Sequence, residues 1–331
     1  MRGGTKGWLW PALISAVLIG AVLSIGVGSA AIPPARALAA LLGQGDPVER
    51  AILVELRLPR AILGLAVGAI LGLSGAALQG YLRNPLAEPS VLGASNGAAL
   101  GAVVAIYFGL ASSSAALLPL LAIAGALVAL ALLSLLAGKS ESALTLILAG
   151  VAVSTLAGAG ISLALNLSPN PFAAMEITNW LLGSLEDRAF SHVLLALPPI
   201  ALGAALLAWD ARAFDALTLG EDGAAALGVD LARTRLRVLL GIGIGVGGAV
   251  AVSGAIGFVG LIVPHLVRPL TDRSPSAILW PSAAAGGALL LLADVAVRVI
   301  PTTNELKLGV VTAFLGVPVF LVFLMRERRL W

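Results

Sequence analysis

The chain has 331 residues, 59% of them hydrophobic and only 11% charged, where an ordinary soluble domain carries about 25% charged residues; that composition excludes a water-covered surface and makes lipid the main solvent. Its 20 Lys+Arg against 17 Asp+Glu leave a net charge of +3, with no basic stripe of the kind that binds nucleic acid. Cysteine is absent and there are two histidines, which rules out disulfide frameworks and thiolate sites and is too little for a metal cage.

Spans follow from charge-free runs, because a Lys, Arg or Asp at the centre of a spanning helix costs about 2.5–3.5 kcal/mol and a span takes about 20 residues. The first run, 7–35, follows Arg2 and Lys6; its apolar stretch exceeds the roughly 7–15 residues of a signal-peptide core, so it is read as span one. Run 61–82 is span two. Run 89–138 holds spans three and four, broken at 111–119 by Ser112, Ser113, Ser114 and Pro119. Runs 142–175 and 189–209 are spans five and six. Run 238–267 holds a full helix and a short one, broken near 254–257, and runs 274–293 and 308–325 complete the set. The expected fold is an all-α polytopic membrane protein: one transmembrane domain over 1–331, ten transmembrane helices and both termini cytoplasmic. In that orientation Arg36, Arg50, Arg57, Arg60, Arg188, Arg298 and Lys307 face outward, and the other 13 of the 20 Lys+Arg face inward, as the positive-inside rule requires.

Residues 67–76 (VGAILGLSGA) match 246–255 (VGGAVAVSGA) at five of ten positions, with Pro85 and Pro264 in register at the same shift of 179. The two segments would run in opposite directions, which predicts inverted five-helix repeats of the transporter kind. Glycines recur every four residues at Gly64, Gly68 and Gly72, and again at Gly93, Gly97 and Gly101; such smooth stripes let backbones approach closely in lipid. Gly138-Lys139-Ser140 lacks the first glycine of a phosphate loop, since position 133 is Leu, and Gly243, Gly245 and Gly248 lie within a span, with no strand before them. His192 and His265 read as helix-end or packing residues. Asp294 is the single acid within a predicted span, with Arg298 one turn on as its partner. No larger buried charge network is expected, which disfavours a proton-coupled carrier.

The largest hydrophilic interval on the inner side, 210–237, reads as two short helices. Gly220 closes the first, Asp222 caps the second, Gly228 ends it and Asp230 opens span seven. With Leu217, Leu219 and Leu227 it offers a rigid elbow to a cytoplasmic partner.

Five segments resemble the FecCD-type permease subunits of type II ABC importers for iron-siderophores, haem and cobalamin. They are Arg57-Leu58-Pro59-Arg60; Arg83-Asn84-Pro85-Leu86-Ala87 after Ser74-Gly75 and Gln79; Leu219-Gly220-Glu221-Asp222 to Leu227-Gly228-Val229; 257–265 (GFVGLIVPH); and Glu305-Leu306 to Thr312 with Gly316 and Pro318. This resemblance implies a homodimer in the bacterial cytoplasmic (inner) membrane, two ATPase subunits that carry ATP and Mg, and a periplasmic or lipid-anchored substrate-binding protein. It assigns the chain itself no cofactor, metal or catalytic residue. It further implies docking of the binding protein at Arg57, Arg60 and Arg298, and ATPase coupling at Leu217, Leu219, Gly220, Glu221, Asp222, Leu227 and Gly228. A cytoplasmic gate is expected at Ser142, Ala143, Leu144 and Thr145, and a pathway lined by Ser154, Thr155, Gly158 and Thr312. The expected function is import of a bulky iron complex (siderophore or haem) or cobalamin, with a secondary transporter acting without an ATPase as the alternative.

Overall fold

A computed structural model describes residues 6–28, 30–138, 143–302 and 305–327, and among these all regular structure is helical. In chain order the helices are α1 (Leu9–Gly26), α2 (Pro34–Leu41), α3 (Pro47–Ala51), α4 (Leu58–Tyr81), α5 (Ala94–Tyr107), α6 (Leu110–Ser113), α7 (Leu117–Ala137) and α8 (Ala143–Asn166). They continue with α9 (Pro171–Leu181), α10 (Phe190–Trp209), α11 (Ala211–Leu217), α12 (Glu221–Ala226), α13 (Leu231–Ser253), α14 (Val259–Val267), α15 (Pro275–Val299) and α16 (Leu308–Glu327). Among the described residues seven helices are long and apolar enough to cross a membrane: α1, the continuous 47–81 helix, α7, α8 from Leu144, α10, α13 and α15. Shorter apolar helices occupy Ala94–Tyr107, Val259–Leu270 and Leu308–Leu321.

Every charge-free run contains at least one of these helices, and both expected breaks are present. Gly109, at φ +66°, and extended Ser114 flank the one-turn α6. Gly254, at φ +68°, ends α13, and non-helical residues then lead to α14. Two boundaries differ from the sequence reading. The second span does not begin at residue 61: α3 runs through a π-helical turn, Ile52–Arg57, into α4. Arg57 and Arg60 therefore lie inside a helix, where protein partners replace water. Run 142–175 ends inside a separate helix, α9, whose start is capped by the Asn170 carboxamide accepting from the Ala173 N–H at 2.9 Å.

The helices that carry the two matching segments, α4 and α13, form the centre of the bundle; 78% and 72% of their most apolar windows are buried, more than in any other long span among the described residues. Close approach requires glycine there. A Cβ at Gly68 would overlap the Gly286 carbonyl of α15, and one at Gly75 would overlap Gly260 of α14. The second stripe does the same between α5 and α7, where Gly97 abuts Gly125 and Gly101 abuts Leu121. The Lys6 N–H donates to the Leu270 carbonyl. Val319 and Phe320 of α16 share a small cavity with Pro85 and His265. Both ends of the described chain thus lie at the end of the bundle that carries the elbow.

Candidate functional site

At the end opposite the elbow, α1 finishes with the carbonyl groups that every helix leaves unbonded. Two arginines satisfy them. Arg57 Nη1 donates to the Ile25 and Gly26 carbonyls at 3.0 and 2.9 Å, and its Nη2 to Ala30 O. Arg298 Nη1 donates to Ser24 O and Val27 O at 2.9 and 2.7 Å. A cation at a helix C-terminus also meets the negative end of the helix dipole. Gly28 leaves room for this arrangement, since a Cβ there would lie 2.8 Å from the Arg57 guanidinium.

Asp294 of α15 joins the arginines into one network. It accepts from Arg60 Nε at 2.9 Å and from Arg298 Nη2 at 2.8 Å, while the other edge of the Arg60 guanidinium pairs with Glu305. Lys307 holds Glu186 at 2.9 Å, tying the segment before α16 to the loop after α9. Arg57 is 5% exposed, and the side chains of Arg60 and Arg298 are 11% and 6% exposed. These findings correct one expectation: a buried charge network does exist, so its supposed absence cannot argue against a secondary transporter. The three arginines expected to dock the binding protein are engaged within the chain, their N–H groups capping α1 and neutralising Asp294 and Glu305.

The network floors a cleft of about 360 Å³ lined also by Ile52, Glu186, Asp187, Arg188 and Thr302. Arg188 was not singled out from the sequence, because one arginine in a loop carries no pattern. Its Nε is buried without a hydrogen-bond partner. Burial holds its guanidinium below the usual arginine range, against the opposing pull of Asp187 and Glu186.

Of the helices expected to line the pathway, α8 presents Leu144, Leu148, Val151, Thr155, Leu156 and Leu163 outward and buries Leu146, Ala149, Val153 and Ala157. Of the expected lining residues Thr155 is exposed, and Ser154 and Gly158 are half-buried; the Ser154 hydroxyl donates to Ser90 O at 3.0 Å. Thr312 is a correction. It is 5% exposed and donates to Gly309 O at 3.0 Å, so it faces the protein interior. The exposed face of α16 instead carries Val310, Phe314 and Val317, beside an apolar groove of about 550 Å³ that includes Leu181, Leu182 and Pro318. Of the expected gate, Ser142 lies outside the described residues, Ala143 opens α8, Leu144 is exposed and Thr145 is half-buried.

The elbow consists of α11 and α12. Gly220, at φ +93° and ψ 168°, separates them, and Gly228, at φ +86°, ends α12. No atom lies closer than Arg83 Nη1, at 3.8 Å, to where a Gly220 Cβ would sit, so glycine is needed there for its backbone and not for space. Asp222 does not cap α12 as expected: Gly220 occupies the cap, and Glu221 and Asp222 sit in the first turn, where their charge still favours the helix. Asp230 caps α13 as expected, accepting from the Arg233 N–H at 3.0 Å. Leu217 is a further correction: it is buried under the elbow with Phe214, leaving Leu219 and Leu227, 70% and 66% exposed, as the apolar contact surface. Asp215 fastens the elbow to the bundle by accepting from the Ser276 N–H at 2.8 Å. Asp210, where the elbow begins, is held above the usual carboxylate range by burial, which Arg237 and Thr234 partly offset.

The sequence profile of the FecCD transport family matches residues 16–326. The Bacillus subtilis (strain 168) ABC transporter permease protein YvrB is 40% identical over 328 residues, 95% of this chain and 92% of that protein. The cobalamin import system permease protein BtuC of Halobacterium salinarum is 43% identical, covering 88% of this chain and 78% of its own. The ferric enterobactin permease protein FepD of Escherichia coli (strain K12) is 38% identical, covering 98% and 96%. A solved structure described as an inward-facing conformation of a metal-chelate type ABC transporter superposes with a TM-score of 0.85 at 35% identity, covering 96% of this chain and 98% of that one.

Proposed function

This chain belongs to the FecCD transport family, and from that premise we propose that it works as one half of a homodimeric permease, driven by two ATPase subunits at the elbows and loaded by a binding protein at the opposite mouth. It is a multi-pass membrane permease subunit of the ABC importer class that includes the cobalamin and ferric enterobactin permeases. The observation that carries the reading is the full-length match together with two specialised ends joined by one tightly packed bundle. The cargo is a bulky ferric siderophore, haem, ferric citrate or cobalamin. A weakly polar α8 and α16 face would let such a molecule slide without trapping it.

Ten helices cross the bacterial cytoplasmic membrane in this reading, the three shorter ones included, with the elbow and both termini in the cytoplasm, where positive charge is concentrated. Paired packing supports inverted repeats: α15 lies on α4 as α7 lies on α13, α14 meets α15 as α5 meets α7, and α16 meets α15 as α8 meets α7. At the mouth, Arg57, Arg60 and Arg298 shape the docking cleft from below, and Arg188 supplies an incompletely bonded guanidinium toward an acidic partner. Leu219, Leu227 and the first turn of α12 meet the ATPase. Uptake of radiolabelled cobalamin, haem, ferric citrate and ferric siderophores, each tried in turn, into proteoliposomes holding the whole complex identifies the cargo; uptake of none of them in the presence of ATP and the binding protein refutes it.

A further inference from the structure

Between the elbow and the bundle lies a second cleft, about 270 Å³, whose lining includes Arg83, Arg268, Arg273, Gln79 and Thr218 and no carboxylate. From this convergence of three guanidinium groups we infer a binding site for a phosphate-class anion, either the headgroup of an anionic phospholipid or free inorganic phosphate. Arg268 is preset for the task. Its Nη2 donates to Gln79 Oε1 at 2.8 Å, and Gln79 is itself fixed by donating to the Gly260 and Leu261 carbonyls at 3.3 Å. That leaves Arg268 Nε buried with no hydrogen-bond partner, a donor whose desolvation is uncompensated until an acceptor arrives.

The other two cations are held differently. Arg83 and Arg273 both have left-handed backbones, at φ +51° and +68°, conformations that a side-chain-bearing residue adopts only when its surroundings impose them. Glu221 stands 3.7 Å from Arg83 Nη2, a loose pair with both side chains partly exposed. Asp215 and Asp272 are occupied by Ser276 and Ser274. Three guanidiniums thus face one small cleft without an equal number of acids. Planar N–H forks of this kind match phosphate oxygens, and basic pockets between membrane helices on the cytoplasmic side bind lipid headgroups. An anion seated there would bridge Thr218 at the elbow to Arg268 and Arg273 at the ends of α14 and α15, stiffening the joint. Only the leaflet it faces rests on the orientation proposed above; the site itself rests on the cleft.

The test uses the full-length chain in nanodiscs of pure phosphatidylcholine and in nanodiscs of nine parts phosphatidylcholine to one of phosphatidylglycerol. Equilibrium dialysis of radiolabelled inorganic phosphate in the first, and native mass spectrometry of retained phosphatidylglycerol in the second, distinguish the two sources. Either ligand should bind at about one per chain and be weakened about tenfold or more in the Arg83→Gln/Arg273→Gln variant, as expected for the loss of two charge-assisted contacts. Arg36→Gln/Arg50→Gln, at the far end of the molecule, removes the same two charges and should leave binding unchanged. Absence of both ligands from the unaltered chain, or equal retention by the double variant, overturns the proposal. Loss of cargo transport with anion binding intact would instead count against the importer reading alone.

Discussion

Asp294 is the residue on which the end of the molecule opposite the elbow turns. It is 1% exposed and bonds two arginines at once, so Asp294→Asn leaves two cations inadequately paired in a buried site. Breaking such a pair costs about 3–5 kcal/mol; we expect a lower melting temperature in detergent and poor recovery of folded protein. For the same reason reversing Arg57 and Arg60 to Glu would uncap α1 and break the mouth, so docking is better tested at Arg188. Arg188→Gln, which removes the charge without adding a third acid beside Glu186 and Asp187, should weaken binding-protein association most at low salt; equal affinity by surface plasmon resonance at low ionic strength would remove Arg188 from the docking surface. The positions of these charges were legible in the sequence, and so was the Asp294–Arg298 pair, which follows from helical spacing. Their commitment to α1 was not. Arg57 meets carbonyls about thirty residues away, and Arg60 meets Glu305 across 245 positions, contacts that no local pattern encodes.

Whole helices were easier to read than single contacts, because a charge inside lipid is costly enough to punctuate the chain. The method failed where protein took the place of lipid or water: at residues 47–60, where charges are paired within a helix, and at α9, which no charge separates from α8. Three element-level outcomes follow. Single cysteines along α8, in a chain naturally free of cysteine, should react with a water-soluble maleimide at Thr155 and Val151 and not at Ala149, Val153 or Ala157; uniform protection along the helix would take α8 out of the pathway. Gly68→Val should push α4 off α15, since its side chain meets Gly286 backbone. Overpacking of this kind costs about 1–3 kcal/mol, readable as a lower melting temperature. Gly220→Val should lower the melting temperature modestly, through backbone strain in an otherwise open site where φ is +93°, and reduce ATPase stimulation and uptake by more than that loss of stability explains.

On the scale of the whole molecule, the closest packing lies in the glycine-lined centre of α4, α13 and α15, and the two ends carry the chemistry: paired arginines and carboxylates at one end, and an anion-ready, apolar-tipped elbow opposite. An importer needs this division, because binding at one end must be felt at the other through elements that move as units. A buried charge network does not by itself separate an ATP-driven importer from a proton-driven carrier, so the energy source is the property to measure. Proteoliposomes containing this chain with its ATPase and binding protein, preloaded with ATP and treated with a protonophore, should accumulate radiolabelled cargo at an undiminished rate, and liposomes holding the chain alone should accumulate none under an imposed proton gradient. Uptake by the chain alone, driven by the gradient and indifferent to ATP, would contradict the account.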